Sequence, residues 1–227
     1  MSVIEATSSA GKTRVVVLIS GSGSNLQTLI DGWQAGELPI ELAAVISNRP
    51  NVLGLERAQK ANIATQLLDH KDFADRETFD RALMASIDAY RPDLIVLAGF
   101  MRILTPEFTQ HYMGRMLNIH PSLLPKFQGL HTHQRALDAG EERHGVTVHF
   151  VTAELDGGPA IIQASVPVLP SDDAASLAKR VQRQEHIIYP LAVKWFALGD
   201  LRMIAGKSVL KGELLPASGC QMTSDQP

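Results

Sequence analysis

The sequence predicts an α/β protein, a mostly parallel twisted sheet with helices on both faces and an antiparallel C-terminal extension. Three observations predict it. Through the first half, apolar runs of strand length alternate with segments whose apolar residues recur at helical spacing, the rhythm of parallel βαβ units. One run passes straight into a glycine-rich turn and a helix-like segment, VVVLISGSGSNLQTLI from Val15 to Ile30. After residue 145 the rhythm changes, and two strand-like runs are joined with no room for a crossover helix.

RVVVLI (14–19) opens the sheet, and Leu26, Leu29, Ile30 and Trp33 then fall on one helical face. IELAAVI (40–46) is followed by the helical GLERAQKA (54–61), and ATQLL (64–68) by a helix from about Asp75 to Tyr90 that buries Phe79, Leu83 and Ile87. The strand DLIVLAG begins after Pro92. A short helix after Pro106 leads into RMLNIH, a buried strand that must stop at Pro121. GVTVHFV and AIIQASVPVL, joined through Asp156-Gly157-Gly158-Pro159, make the antiparallel extension. A last amphipathic helix, about Asp172 to Leu198 with a kink expected at Pro190, turns Leu177, Val181, Ile188, Leu191 and Trp195 toward the core. Residues 1–13 and 216–227 are small, polar and aperiodic and read as loose ends. The whole, 1–227, reads as a single domain with two halves, 14–112 and 113–215.

With 45% hydrophobic and 20% charged residues, the 227-residue chain has globular composition and enough length to bury a sizeable core. A formal net charge of -3 without a basic block gives no footprint for nucleic acid or a membrane surface, so a small-molecule substrate is expected. No apolar run approaches the length of a bilayer span and the N-terminal stretch lacks a signal core, which points to the cytoplasm. The single cysteine, Cys220, excludes an internal disulfide and speaks against a cysteine nucleophile.

The turn after the first strand is not a dinucleotide fingerprint. Gly21 and Gly23 match, but Leu26 stands where the third glycine belongs, and the next strand ends in Ser47-Asn48 without a ribose-binding carboxylate. It is not a Walker A loop either, since Gly11-Lys12-Thr13 precedes the strand and Ala6 replaces the first glycine. What remains is an anion cradle suited to a phosphate monoester. Small residues admit a ligand close to the backbone, the opening N–H groups of a helix face it, and Ser24 and Asn25 add donors. The plainer alternative is a tight turn with Asn25 as helix cap.

Ligands bind outside the carboxyl ends of strands in open parallel sheets. Besides Gly21–Asn25, two such ends stand out, Gly99–Leu104 and Asn118-Ile119-His120-Pro121. Asn118 and His120 are two apart on an extended chain and share a face. Asp156, in a tight glycine-containing turn, is a candidate partner for His120, though Asp-Gly is also ordinary turn punctuation. Five of eight histidines lie between His120 and His149, among them His131, His133 and His144. A metal site is not expected from this cluster, because no cysteine joins it and no H-E-x-x-H spacing occurs. His70, His111 and His186 are expected at the surface.

LNIHPSLLPKFQGLHTH, with ISGSGSNLQTLID, VLAGFMRIL, HGVTVHFVTAELDGGP and QRQEHIIYPL, closely resembles the phosphoribosylglycinamide formyltransferases, the folate-dependent formyltransferases of purine biosynthesis with a Rossmann-like fold. The likeness spans roughly residues 14–215 in the correct order. NIHPSLLP alone would indicate only the wider formyl-folate family, and the GSGSN loop narrows it. The resemblance implies N10-formyltetrahydrofolate as co-substrate, glycinamide ribonucleotide (GAR) as acceptor, and catalytic residues Asn118, His120 and Asp156. It places the GAR phosphate at Gly23, Ser24 and Asn25, with Gln182 and Glu185 beside the ribose and amine. It places the folate against Met101, Arg102, Ile103, Leu104 and Asn118 and the 152–156 loop (Thr152, Ala153, Glu154, Leu155, Asp156), with a contribution from Arg76.

Formyl transfer by direct amine attack develops an oxyanion that Asn118 and protonated His120 can stabilise, with His120 delivering a proton to the leaving folate nitrogen directly or through water. A carboxylate at Asp156 favours the imidazolium. That chemistry needs neither metal nor covalent intermediate, and a monomer or homodimer suffices. The rivals are a methionyl-tRNA formyltransferase, which needs a basic surface, a formyltetrahydrofolate hydrolase, and a regulatory nucleotide-binding module without chemistry.

Overall fold

A computed structural model describes residues 12–224. Eight strands form one sheet in the order β11-β7-β6-β5-β4-β1-β2-β3, and three more form a small separate sheet, β10-β9-β8. The parallel part follows the predicted rhythm: β1 (Thr13–Ile19), α1 (Ser24–Gln34), β2 (Ile40–Ser47), α2 (Leu53–Lys60), β3 (Thr65–Leu67), α3 (Arg76–Asp88), β4 (Leu94–Leu97), α4 (Pro106–His111) and β5 (Met116–His120). The antiparallel change comes where it is expected. After α5 (Thr132–Asp138), β6 (Arg143–Phe150) runs against both β5 and β7 (Ala160–Pro167).

Alternation along β1 sorts the core into two layers. Val15, Val17 and Ile19 pack with α1 and the long α6 (Ala174–Ala197), whereas Val16 and Leu18 pack with Phe79, Leu83 and Ile87 of α3 and Phe108 of α4. Both faces are covered, so the central strands read as unbroken apolar runs. A capping box, with Asp173 and Ser176 reciprocally bonded, starts α6, and the helix continues through Pro190.

Three expectations need correction. Thr13 already belongs to β1, and residues 1–11 and 225–227 lie outside the described residues. The C-terminal tail is not loose up to Thr223, because β11 (Cys220–Thr223) pairs parallel with β7 and becomes the edge strand of the sheet. Gly219 makes this possible, since a Cβ there would sit 2.5 Å from the Ile161 carbonyl carbon. Finally, β8 (Leu201–Ile204), β9 (Lys207–Leu210) and β10 (Glu213–Leu214) form two hairpins the sequence did not reveal. Their two-residue turns, Ala205-Gly206 and Lys211-Gly212, all have positive φ but lack the Asn or Asp that usually signals such turns.

Candidate active site

The strand order reverses between β1 and β4, and the crevice beyond the carboxyl ends of β1, β4 and β5 gathers the segments singled out above. After β1, Gly23 is the N-cap of α1 with φ 69. A Cβ there would lie 2.7 Å from the Cα of Gly54, so α2 and the turn meet backbone to backbone. The amide of Gly54 donates to the Gly21 carbonyl at 3.1 Å, and Arg57 Nε donates to the Ser22 carbonyl at 2.9 Å. No side chain caps the first turn of α1 and no acidic residue occupies it, which leaves its N–H groups to an anion.

Asn25 is not a cap. Its buried Nδ2 donates to Glu185 Oε2 at 2.8 Å, while Gln182 Nε2 donates to Ser24 Oγ at 3.2 Å. The structure thus brings together all five residues expected on the ribonucleotide side, across 160 positions of sequence. Burial pushes the Glu185 carboxyl up, and the Asn25 amide draws it partly back.

On β5, Asn118 stands opposite His149 and His120 opposite Thr147 of β6. His149 Nδ1 lies 2.9 Å from the Phe150 carbonyl, and Nε2 lies 3.1 Å from Asn118 Nδ2. A neutral ring satisfies both contacts, with Nδ1–H donating and Nε2 accepting. Complete burial holds His149 in that form, well below the usual histidine range. The orientation of the Asn118 amide follows, and an amide nitrogen carries a second hydrogen for a ligand.

His120 and Asp156 meet as expected. His120 Nδ1 is 3.4 Å from Asp156 Oδ2, with side chains 7% and 9% exposed, so water screens the pair weakly. His120 Nε2 lies 2.9 Å from the Phe127 carbonyl, so both ring nitrogens face acceptors and an imidazolium satisfies both. Asp156 Oδ2 also accepts the Gly129 N–H at 2.9 Å, and Oδ1 is 3.9 Å from His149 Nε2. Asp156 has φ 50, and the Gly158 beside it packs so tightly on the Phe150 carbonyl that no Cβ fits.

Asn118, His149 and Asp156 line a cleft of about 100 Å³ with Leu97, Phe100, Arg102, Ile103, Leu104, Val151 and residues Thr152, Ala153, Glu154 and Leu155. Polar and apolar side chains share the lining, which suits part of a flat heterocycle with a hydrogen-bonding edge. A larger cavity, about 550 Å³, lies across the Asp156 turn against Pro216 and Lys207, but neither Asn118 nor His149 lines it. Two sequence-predicted folate residues stand outside the cleft lining. Arg76 is exposed on α3 with its guanidinium 3.9 Å from Glu77, and Met101 is exposed, turning its N–H to Ser20. His120 is itself buried behind the lining.

Some supporting residues carried no sequence signal. Ser20 Oγ accepts the Met101 N–H at 2.8 Å and donates to Asn48 Oδ1 at 2.5 Å, and the Tyr189 hydroxyl lies 2.8 and 3.1 Å from the Leu97 and Leu117 carbonyls. The histidine cluster separates by role. His133 and His144 pack edge to face at 5.2 Å, and burial lowers both, His144 to about 4. His131 is the exposed N-cap residue that precedes α5. His111 is exposed beside Asp88, but His70 and His186 are half-buried rather than at the surface. Among the described residues, no group of three or more His, Cys, Asp or Glu is placed to hold a metal ion, and no helix is long and apolar enough to cross a membrane.

Residues 13–193 match the family model described as formyl transferase. The phosphoribosylglycinamide formyltransferase of Escherichia coli (strain K12) is 55% identical over 205 residues, covering 90% of this chain and 97% of that protein. That of Haemophilus influenzae is 48% identical over 206 residues, 91% and 97% of the two chains. The solved structure of the phosphoribosylglycinamide formyltransferase from Coxiella burnetii superposes with a TM-score of 0.89 at 52% identity, covering 93% of this chain and 99% of that one. With such identity over nearly the full length of these proteins, the chain belongs to the phosphoribosylglycinamide formyltransferases of the formyl transferase family.

Proposed function

We propose that this cleft transfers the formyl group of N10-formyltetrahydrofolate to the amine of GAR, with Asn118, His120 and Asp156 as the catalytic residues. The products are formyl-GAR and tetrahydrofolate, and the reaction is a step of de novo purine biosynthesis. Bound formyl-folate supplies an electrophilic formyl carbon, and amine attack develops negative charge on its oxygen. Asn118 meets that charge with the amide hydrogen that His149 leaves over. His120, its two ring nitrogens held toward Asp156 and the Phe127 carbonyl, adds positive charge from behind the lining when it carries both protons. Because His120 Nε2 is already engaged, its proton reaches the folate nitrogen by water relay more readily than by direct contact.

The two halves divide the work. Residues 14–112 hold the GAR phosphate at Gly23, Ser24 and Asn25 on the α1 terminus, and they also contribute the 102–104 side of the folate cleft. Residues 113–215 supply the catalytic triad and the Thr152–Asp156 wall, and α6 presents Gln182 and Glu185 to the ribonucleotide. Glu185, made more basic by burial, is placed to orient the attacking amine and accept its proton. The substrates are small molecules, and the reading makes the chain a cytoplasmic monomer or homodimer that needs neither nucleic acid nor membrane.

The observation that carries this reading is the convergence of a helix N-terminus free of side-chain caps and the Asn118–His149–Asp156–His120 cluster on one crevice. Purified protein with formyl-folate and either GAR or charged initiator tRNA tests it. Folate release with GAR is expected, and turnover with the tRNA alone would overturn it.

A further inference from the structure

We infer that Asp80 is a positioning residue for formyl-folate, holding one end of the loop that walls the folate cleft, with Ser20 holding the other; the inference rests on the folate reading of that cleft. Between β4 and α4, residues 101–105 have no regular structure, yet they are strung between two buried side chains from other elements. The Met101 N–H donates to Ser20 Oγ at 2.8 Å, and the Thr105 N–H donates to Asp80 Oδ2 at 2.6 Å. The three residues between these anchors, Arg102, Ile103 and Leu104, are the ones the cleft uses.

Asp80 sits on α3, only 1% exposed, beside Phe79, whose ring lies 4.9 Å from the Arg102 guanidinium carbon. Thr105 is also the N-cap of α4, its hydroxyl accepting the Phe108 N–H at 3.3 Å, so the bond to Asp80 fixes where the loop stops and the helix begins. A carboxylate is an expensive way to pack α3. Its Oδ1 is buried with no hydrogen-bond partner among the described residues, and so is Arg102 Nε. That cost is offset in part by the bond to the Thr105 N–H, and the bond falls where the loop that walls the cleft ends. Burial pushes the Asp80 carboxyl up, while the Thr105 N–H and the charges of Arg102 and Arg76 draw it back. Arg76, outside the cleft lining, thus acts together with Arg102 on the Asp80 carboxyl.

The test is a split between Michaelis constants. Asp80→Ala removes the acceptor and should raise the KM for formyl-folate about tenfold while the KM for GAR stays within about twofold. Asp80→Asn keeps an oxygen for the Thr105 N–H and should restore most of the folate KM. If the alanine variant does not fold, Asp80→Leu fills the volume without an acceptor and serves in its place. Equal changes in both KM values, or an unchanged folate KM with a lowered Tm, would make Asp80 merely structural and overturn the inference. Ile103→Glu, measured in parallel, separates the two levels. If it leaves the folate KM unchanged, the folate reading of the cleft itself fails; if it raises the KM and Asp80→Ala does not, only the positioning role fails.

Discussion

Replacing Asp156 with Asn removes a charge and little else. At φ 50 the backbone is in the left-handed region, which Asn tolerates as well as Asp, so the turn survives. The amide oxygen can keep both Oδ2 contacts, with the Gly129 N–H at 2.9 Å and His120 Nδ1 at 3.4 Å, and its NH2 then faces the accepting His149 Nε2. What disappears is the carboxylate's attraction for the imidazolium. In a pair this buried, the difference between a charge-assisted and a neutral contact is about 1.5 kcal/mol, so kcat should fall roughly tenfold. Asp156→Ala should fall further, roughly a hundredfold or more, since it also loses the acceptor and strains a left-handed residue. The assay is kcat at saturation in both substrates, alongside thermal melts of the three proteins. A kcat for Asp156→Asn within about twofold of the parent would show that the charge does no catalytic work, leaving Asp156 a turn residue.

The remaining expectations concern the phosphate loop and the buried histidines. Ser24→Ala with Asn25→Ala removes ligand donors and should raise the GAR KM by roughly ten- to a hundredfold with little effect on the folate KM; equal losses for both would indicate collapse of the loop. Gly23→Ala forces a Cβ to within 2.7 Å of the Gly54 backbone at a positive φ and should abolish competition by inorganic phosphate against GAR, whereas retained competition would mean the cradle lies elsewhere. Burial holds His144 at about 4 against an ordinary 6.5, so its contribution is fully present above about 6.5 and is lost as pH falls through 4, about 3 kcal/mol in all. Denaturant titrations from pH 7 to 4 should show His144→Gln losing less stability than the parent, and parallel losses would place the acid-sensitive group elsewhere.

The parallel sheet was legible because its strands are apolar on both faces and its helices keep one apolar stripe, as Val15–Ile19 and Phe79–Leu83–Ile87 show. The hairpins after α6 were not, since Ala205-Gly206 and Lys211-Gly212 reach their turn geometry without the usual residues and four-residue strands show little alternation. β11 was hidden for a related reason: only Cys220 and Met222 turn inward, and its place depends on a close approach at Gly219. Within the site, the period of two along β5 correctly paired Asn118 with His120, but the elements that orient them come from far away in sequence. His149 is 31 residues from Asn118 and Asp80 is 25 from Thr105, distances that only the folded sheet closes. Arg76 shows the opposite limit. The resemblance assigned it to folate, while the structure sets it outside the cleft lining, acting on Asp80 through its charge.

The central claim is that Asn118, oriented by neutral His149, stabilises the charge that forms as the GAR amine attacks. Single-turnover formyl transfer by Asn118→Ala, paired with binding of a non-reactive folate analogue, tests it most directly. The account predicts transfer slowed by about a hundred- to a thousandfold with analogue affinity changed by less than about threefold, because the amide acts on developing charge more than on the ground state. Near-normal transfer, or a loss of analogue binding equal to the loss of rate, would contradict it.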